Sequence, residues 1–187
     1  MQLRVGQIVE STEAEGPGKR FAVWTQGCSL RCPGCCNPHL FADRGGTLVE
    51  VSELLTRIAA VKDVEGISVL GGEPFEQPEA VAELCAGAHR LGLSVMVFSG
   101  FTLAELQART APLSHVDLLV DGRYDATAPD TKRRWIGSTN QVLHFLSERG
   151  RADAPRFDAP NTVEIRLTRE GLSVNGWPAA SQVVRRW

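Results

Sequence analysis

The sequence predicts an α/β fold that is built on a parallel sheet. Short apolar runs rich in β-branched residues alternate about four times with segments whose apolar residues have helical spacing. Most of these runs end at a loop that contains glycine. At 187 residues, with 43% hydrophobic and 22% charged residues, the chain is long enough for one well-cored domain. We expect a core over about 14–150, followed by a linker and a β-hairpin over about 151–187.

The predicted elements follow from local pattern. Apolar, β-prone runs predict a lead-in strand within residues 1–20 and then strands at Phe21–Thr25, Ile67–Leu70, Leu93–Phe98 and Val116–Val120, with a hairpin that pairs 162–167 with 172–174. Apolar spacing and caps predict helices from Ser52 to about Val61, from Pro78 to Leu91, from Thr102 to about Arg109, and from Ser138 or Thr139 through Glu148. Thr102 and Glu105 have the spacing of a capping box. Residues 123–135 predict a polar loop.

Chemistry-bearing residues follow four of the predicted strands directly. They are the cysteine loop that starts at Cys28, the stretch Gly71-Gly72-Glu73, the pair Ser99-Gly100 and the pair Asp121-Gly122. In parallel α/β folds, ligands gather at the carboxyl ends of the strands. We therefore expect the four loops to face one site.

Three cysteines, Cys28, Cys32 and Cys35, stand at C-x3-C-x2-C spacing within eight residues. An iron–sulfur cubane normally takes four cysteine ligands, so three thiolates would leave one iron open to an outside ligand. The alternative is a structural zinc site, which would need a closed fourth ligand such as Cys36 or His39. Cys36 is otherwise a spare thiol.

Composition excludes several classes of protein. The formal net charge of −2 argues against a dedicated nucleic-acid binder. No apolar run approaches the ~20 residues of a membrane helix. An odd count of five cysteines, three of them in one loop, favours metal binding in a reducing compartment over a disulfide framework, and we expect a cytoplasmic protein. Cys85, on the apolar face of a predicted helix, is expected in the core.

The stretch Gly71-Gly72-Glu73-Pro74 has two interpretations, one purely structural and one functional. It could be only a tight turn from strand to helix. Alternatively, its glycines could let the backbone approach a ligand closely, and its exposed backbone groups, with Glu73, could hold the ammonium and carboxylate of an amino acid.

The cysteine triplet together with this stretch resembles the radical S-adenosylmethionine (radical SAM) superfamily. Within it, the ordered motifs resemble the glycyl-radical-enzyme activases, and most closely those that activate anaerobic ribonucleoside-triphosphate reductase. The resemblance covers roughly residues 14–146 and rests on the segments Gly16–Arg20, Trp24–Cys28, Cys32–Cys35, Ser99–Phe101, Asp121–Tyr124 and Trp135–Gln141. Trp24 and Cys36 depart from the usual residues of the activase pattern, which leaves the protein substrate open.

The resemblance implies a single radical SAM domain, folded as a partial (incomplete) TIM-like barrel of parallel strands with outer helices, plus the C-terminal β-hairpin. It implies one 4Fe–4S cluster held by Cys28, Cys32 and Cys35, and S-adenosylmethionine oriented by Gly71, Gly72 and Glu73. Ser99 is expected to contact the ribose or carboxylate, and Asn140 the adenosine or methionine end of the same ligand. No side chain beyond the cluster ligands is expected to be catalytic.

The implied activity is that of an oxidoreductase. Reductive cleavage of S-adenosylmethionine at the cluster gives a 5′-deoxyadenosyl radical, which generates a glycyl radical on a partner enzyme, anaerobic ribonucleotide reductase. The electron would come from a flavodoxin or ferredoxin. Two alternatives stay open at this point. The chain could be a radical SAM enzyme that tailors a peptide or a small heterocycle, or a metal-stabilised interaction module without enzymatic activity.

Overall fold

A computed structural model describes residues 1–168 and 171–176. One seven-stranded sheet organises this part of the chain, with the strand order β3-β1-β2-β4-β5-β6-β7. Its strands are β1 (Gln2–Thr12), β2 (Arg20–Thr25), β3 (Thr47–Glu50), β4 (Gly66–Gly71), β5 (Ser94–Phe98), β6 (Leu118–Asp121) and β7 (Val142–Phe145). A separate two-stranded sheet pairs β8 (Val163–Thr168) with β9 (Gly171–Gly176).

The four central strands β2, β4, β5 and β6 are parallel, whereas β1, β3 and β7 are antiparallel to their neighbours. This pattern confirms the predicted α/β character and the parallel core of the sheet. That the sheet curves into part of a barrel stays a prediction. Four predicted strands are found within two residues of their expected bounds, whereas the short edge strand β3 was not predicted.

Helices connect the parallel strands. They are α1 (Val51–Ala60), α2 (Pro78–Arg90) and the short α3 (Leu103–Ala108). The capping box predicted for α3 is present: the Thr102 side chain accepts the backbone N–H of Glu105, and the Glu105 carboxylate accepts that of Thr102. Cys85 lies on the buried face of α2, 1% exposed, as the sequence predicted.

The two faces of the sheet are covered differently. Val95 and Val97 of β5 point to the face on which the helices pack, and they share its apolar core with Leu54 and Leu84. The alternate residues point to the other face, as strand periodicity requires. That face carries smaller apolar clusters, whose members include Trp24, Leu70, Met96 and Trp135 together with the partly buried Phe98. Loops and a short 3-10 helix (Ala154–Asp158), which contributes Phe157, cover this second face, and the site lies there.

The helix predicted from Ser138 or Thr139 through Glu148 is wrong. Residues Val142–Phe145 form β7, which pairs antiparallel with β6, and a short helix α4 (Glu148–Ala152) begins only after the cap Ser147. The run Val-Leu-His-Phe is β-prone, and pairing with the open edge of β6 outweighs its weak helical spacing.

The two strands of the predicted C-terminal hairpin are present, with β8 paired antiparallel to β9, close to their predicted positions. The expected turn residues Arg169 and Glu170, and the end of the predicted C-terminal segment at 177–187, lie outside the described residues. No helix in the described part of the chain is long and apolar enough to cross a membrane.

Candidate cofactor site

A cavity of about 220 Å³ opens on this second face of the sheet, at the carboxyl ends of the parallel strands. Residues from all four of the predicted loops line it: Cys28, Cys32 and Cys35, then Gly71, Gly72 and Glu73, then Ser99 and Gly100, and finally Gly122. The prediction that these loops face one site is confirmed. Trp24, Leu70 and Phe98 add apolar wall between them.

The cysteine loop is held by its own backbone. The N–H of Cys28 donates to the carbonyl of Phe41 at 3.2 Å, and the N–H of Cys35 donates to the carbonyl of Cys32 at 3.1 Å. Gly34 supplies the positive φ of +75° that the turn between these cysteines needs. The N–H of Asn37 reaches the sulfur of Cys35 at 3.4 Å. Such hydrogen bonds to ligand sulfurs are among those that tune iron–sulfur clusters.

A carboxylate from the neighbouring loop also fixes the cysteine loop. Glu76 accepts the backbone N–H of Ser29 at 2.7 Å, and the Ser29 hydroxyl donates to the same carboxylate. Ser29 follows Cys28 directly. The loop that follows β4 therefore positions the first cysteine.

The two glycines after β4 approach protein backbone. A Cβ on Gly71 would lie 2.2 Å from the nitrogen of Thr25, and one on Gly72 would lie 2.0 Å from the carbonyl oxygen of Gly27. The N–H of Gly72 donates to Thr25, and that of Glu73 to Gly27. The sequence predicted glycines for close approach to a ligand. Their first structural role is to join the end of β4 to the start of the cysteine loop.

Glu73 links the loops after β4 and β5. Its carboxylate is 1% exposed and accepts the N–H of Gly100 at 2.7 Å, the hydroxyl of Ser99 at 2.9 Å and the N–H of Phe75 at 3.0 Å. Burial raises the pKa of Glu73 to about 7, although these three donors act in the opposite direction. Glu73 therefore holds the cavity wall in shape as well as facing the cavity.

The remaining predicted contacts differ in their placement. Ser99 lines the cavity, but its hydroxyl donates to Glu73 and accepts the N–H of Phe101 at 3.0 Å. Asn140 is exposed and lies outside the cavity lining, with its amide donating to the carbonyl of Arg123 at 2.8 Å. Its neighbour Gln141 lines the cavity instead. The ligand contact of Asn140 stays a prediction that this placement does not favour.

The donor set fits an iron–sulfur cluster. Three half-buried thiols line one cavity, and one of them already receives a backbone N–H. Of the two candidates for a fourth zinc ligand, Cys36 also lines the cavity, whereas His39 is exposed and lies outside it. A hydrogen bond with the neighbouring Cys35, together with burial, raises the pKa of Cys36.

Comparison with known proteins decides the family. A family model described as a 4Fe-4S single cluster domain matches residues 14–144. The anaerobic ribonucleoside-triphosphate reductase-activating protein of Salmonella typhimurium is 34% identical over 156 residues, 77% of this chain and 99% of that protein. The protein of the same name in Escherichia coli K12 is 32% identical over 143 residues, 70% of this chain and 91% of that protein. The chain belongs to this family of activating proteins.

The likeness extends to a virus. The activating protein of the same name from enterobacteria phage T4 is 29% identical over 135 residues, 68% of this chain and 85% of that protein. The family inferred from the ordered motifs is thus confirmed. The chain is an enzyme of the radical SAM activase type, and its cofactors are a 4Fe–4S cluster and S-adenosylmethionine.

Several cavity residues of this activase were not predicted. Glu15 lines the cavity beside Ala14, and burial raises the pKa of Glu15 to about 8. Trp135 and, from the hairpin, Asn175 line it as well. Glu15 stands directly before the motif at Gly16, which is a signal that could have marked it. The hairpin gave no such signal, because nothing in a two-stranded pattern says where the hairpin packs.

Proposed function

We propose that this chain places a glycyl radical on an anaerobic ribonucleoside-triphosphate reductase. The observation that carries the proposal is the meeting of Cys28, Cys32 and Cys35 with Gly71–Glu73 in one cavity, in a chain related along most of its length to proteins named as activators of that reductase.

The proposed roles follow the cavity. Cys28, Cys32 and Cys35 would hold the cluster, and Gly71–Glu73 would orient the methionine part of S-adenosylmethionine, with Ser99 beside it. When bound, the two cofactors would supply a one-electron reductive cleavage of S-adenosylmethionine and, through it, removal of a hydrogen atom from the α-carbon of a glycine on the reductase.

The protein's own contribution is geometry and exclusion of water. Glu73 and Glu76 join the cysteine loop and the loops after β4 and β5, so the two cofactor regions are held against each other. Trp24, Leu70 and Phe98 give the cavity apolar walls. Such walls keep stray hydrogen donors from a reactive intermediate.

Further parts of the proposal concern the setting of the reaction. We propose a flavodoxin or ferredoxin as electron donor and a cytoplasmic location, because a reducing compartment suits the partly buried thiols of the cysteine loop. We also propose that the sheet forms a partial barrel in a single radical SAM domain, open on one side to a partner's loop. The parallel order of β2, β4, β5 and β6 supports this arrangement.

The experiment is anaerobic. The protein is reconstituted with iron and sulfide, reduced, and mixed with S-adenosylmethionine and the anaerobic reductase encoded in the same genome. We expect 5′-deoxyadenosine and a glycyl radical, detected by electron paramagnetic resonance, and neither product with Cys32→Ala. Formation of 5′-deoxyadenosine without a radical on the reductase would contradict the proposed substrate and favour a tailoring enzyme.

A further inference from the structure

The C-terminal hairpin is seated on the turn that precedes β2. The carboxylate of Glu164 on β8 accepts the N–H of Glu13 at 3.2 Å, and the N–H of Gly176 on β9 donates to the carboxyl of Glu15 at 2.8 Å. A second anchor comes from Arg134, which donates to the hydroxyl of Thr162 at 3.0 Å. The hairpin lies beyond residues 14–144, the part that the family model matches. This part of the cavity wall is therefore an addition to the matched domain.

Close packing at Gly176 brings the hairpin into the cavity wall. Gly176 has a φ of +113°, and a Cβ there would lie 2.4 Å from the carbonyl oxygen of Thr162 and 3.2 Å from the Cβ of Ala14. Without a side chain at this position, β9 can lie against the turn. Val174, Asn175 and Gly176 all line the cavity as a result.

Asn175 has a hydrogen-bonding group to offer. It is 4% exposed and lines the cavity, and its amide nitrogen Nδ2 is buried without a hydrogen-bond partner in the described part of the chain. Buried amide donors are nearly always paired, because an unpaired one loses its bonds to water and gains nothing. An acceptor atom of a ligand would pair it.

The proposed substrate suggests which acceptor atom would pair the amide nitrogen of Asn175. A reacting glycine has no side chain, so the enzyme must recognise it through the N–H and C=O groups of the surrounding backbone. A carboxamide carries both a donor and an acceptor and so matches a peptide group. Asn175 belongs to a wall that the cysteine loop, Gly71–Glu73 and Ser99 do not form.

We propose that Asn175 is a substrate-binding residue, with Nδ2 donating to a backbone carbonyl of the reductase segment that carries the reacting glycine. This inference rests on the proposed function. The hairpin thereby contributes to the choice of protein substrate, and S-adenosylmethionine binds without it.

The test compares Asn175→Ala with Ile165→Ser, a change on the outer side of the same hairpin, where Ile165 is 65% exposed. The cluster-loaded enzyme is assayed with reductase whose glycines carry deuterium at the α-carbon. We expect Asn175→Ala to raise the KM for reductase about tenfold and to lower the deuterium found in 5′-deoxyadenosine. Its Kd for S-adenosylmethionine should stay within about twofold of that of the wild type, and Ile165→Ser should leave all three unchanged.

Two outcomes would overturn the inference about Asn175, and a third would overturn the proposed function on which it rests. An equal loss of affinity for S-adenosylmethionine would show that Asn175 contacts the cofactor. An unchanged KM for the reductase would show that Asn175 only forms part of the cavity wall. Either result overturns the inference. If the wild type itself transfers no hydrogen from the reductase, the proposed function fails, and the inference fails with it.

A stability measurement covers the case in which the alanine variant folds poorly. Asn175→Leu removes the unpaired donor and keeps four side-chain heavy atoms with the same branching, so the melting temperature of the substrate-free enzyme should stay the same or rise. A clear drop in melting temperature would mean that the amide has an internal structural partner, and would overturn the inference.

Discussion

The two ends of the parallel strands use polar groups in opposite ways. At the amino ends, the fully buried guanidinium of Arg20 donates from all three of its nitrogens, to Ser68, Ser94 and the carbonyls of Pro17 and Ile67. Burial lowers the pKa of Arg20 to about 10, which still leaves it charged at pH 7. This end is closed by interactions within the protein.

At the carboxyl ends, groups that can bind a ligand are held in place around the cavity. Cys28, Cys32 and Cys35 are only partly buried, and the amide nitrogen of Asn175 has no partner in the described part of the chain. The contrast teaches that one end of this sheet serves stability and the other serves ligands, a division known from barrel folds. Substitutions at the two ends should therefore change different measurements.

The largest effect is expected for Cys32→Ala. Loss of one cluster ligand should lower both iron content and 5′-deoxyadenosine formation, the latter by at least about 100-fold. Its matched control, Cys85→Ser, places a hydroxyl in the core and should lower the free energy of unfolding by about 1–3 kcal/mol while iron content is retained. Full iron loading of the Cys32 variant would break the assignment of that cysteine as a ligand.

Arg20→Met should have the second-largest effect, and on stability alone. The variant leaves two serine hydroxyls and several carbonyls without their donor, so we expect the free energy of unfolding to fall by roughly 3 kcal/mol. Urea unfolding measures this change. Iron bound per folded molecule should equal that of the wild type, and a loss of iron at full folding would show that the amino end also serves the site.

pH should distinguish the two ends. Burial alone would raise the pKa of Asp117, at the amino end. Hydrogen bonds from Ser147, Val95 and His89 outweigh burial and hold this pKa below its usual value. Its contribution to stability is therefore present above the ordinary pKa near 3.8 and is lost as the pH falls through the lower folded value. Glu73 has a raised pKa of about 7, so its contribution is full below about 4.5 and is lost as the pH rises to 7.

Urea unfolding at a series of pH values measures how the free energy of unfolding changes with pH. Glu73→Gln should flatten the decline in stability between pH 5 and 7, by up to about 1.4 kcal/mol per pH unit, and Asp117→Asn should flatten the decline below pH 4. An unchanged profile between pH 5 and 7 in the Glu73 variant would show that the carboxyl is ionised in the folded protein.

Glu76→Gln should have the smallest effect. The amide can still accept the N–H of Ser29 but binds it less strongly than a carboxylate does, so activity should fall by less than about tenfold with iron retained. Glu79→Gln changes a nearby exposed glutamate and serves as the control. Equal activities of the two variants would contradict the proposal that Glu76 positions the cysteine loop.

Much of the site could be predicted because its signals are local. Three closely spaced cysteines and glycine-containing loops after apolar runs are visible in the sequence, and the rule that ligands gather at strand ends brings those loops together. The capping box at Thr102 and the core position of Cys85 are also local, and both are confirmed.

What could not be predicted depends on contacts distant in sequence. The strand at Val142–Phe145 forms because β6 offers an open edge, which no window of sequence around residue 142 reveals. Glu73 meets Gly100, and Asn175 reaches the cavity, across long separations. Asn140 was predicted as the contact, but Gln141 lines the cavity, because the backbone of this loop puts the glutamine amide against Gly122.

The contact between Gly72 and Gly27, where an added Cβ would lie 2.0 Å from a carbonyl oxygen, has a consequence for the geometry of the enzyme. The peptide that leads into the cysteine loop and the peptide that ends β4 touch main chain to main chain, with no adjustable side chain between them. The distance between the backbone that leads into the cysteine loop and the backbone of Gly71–Glu73 is therefore set by the fold itself and not by side-chain rotamers.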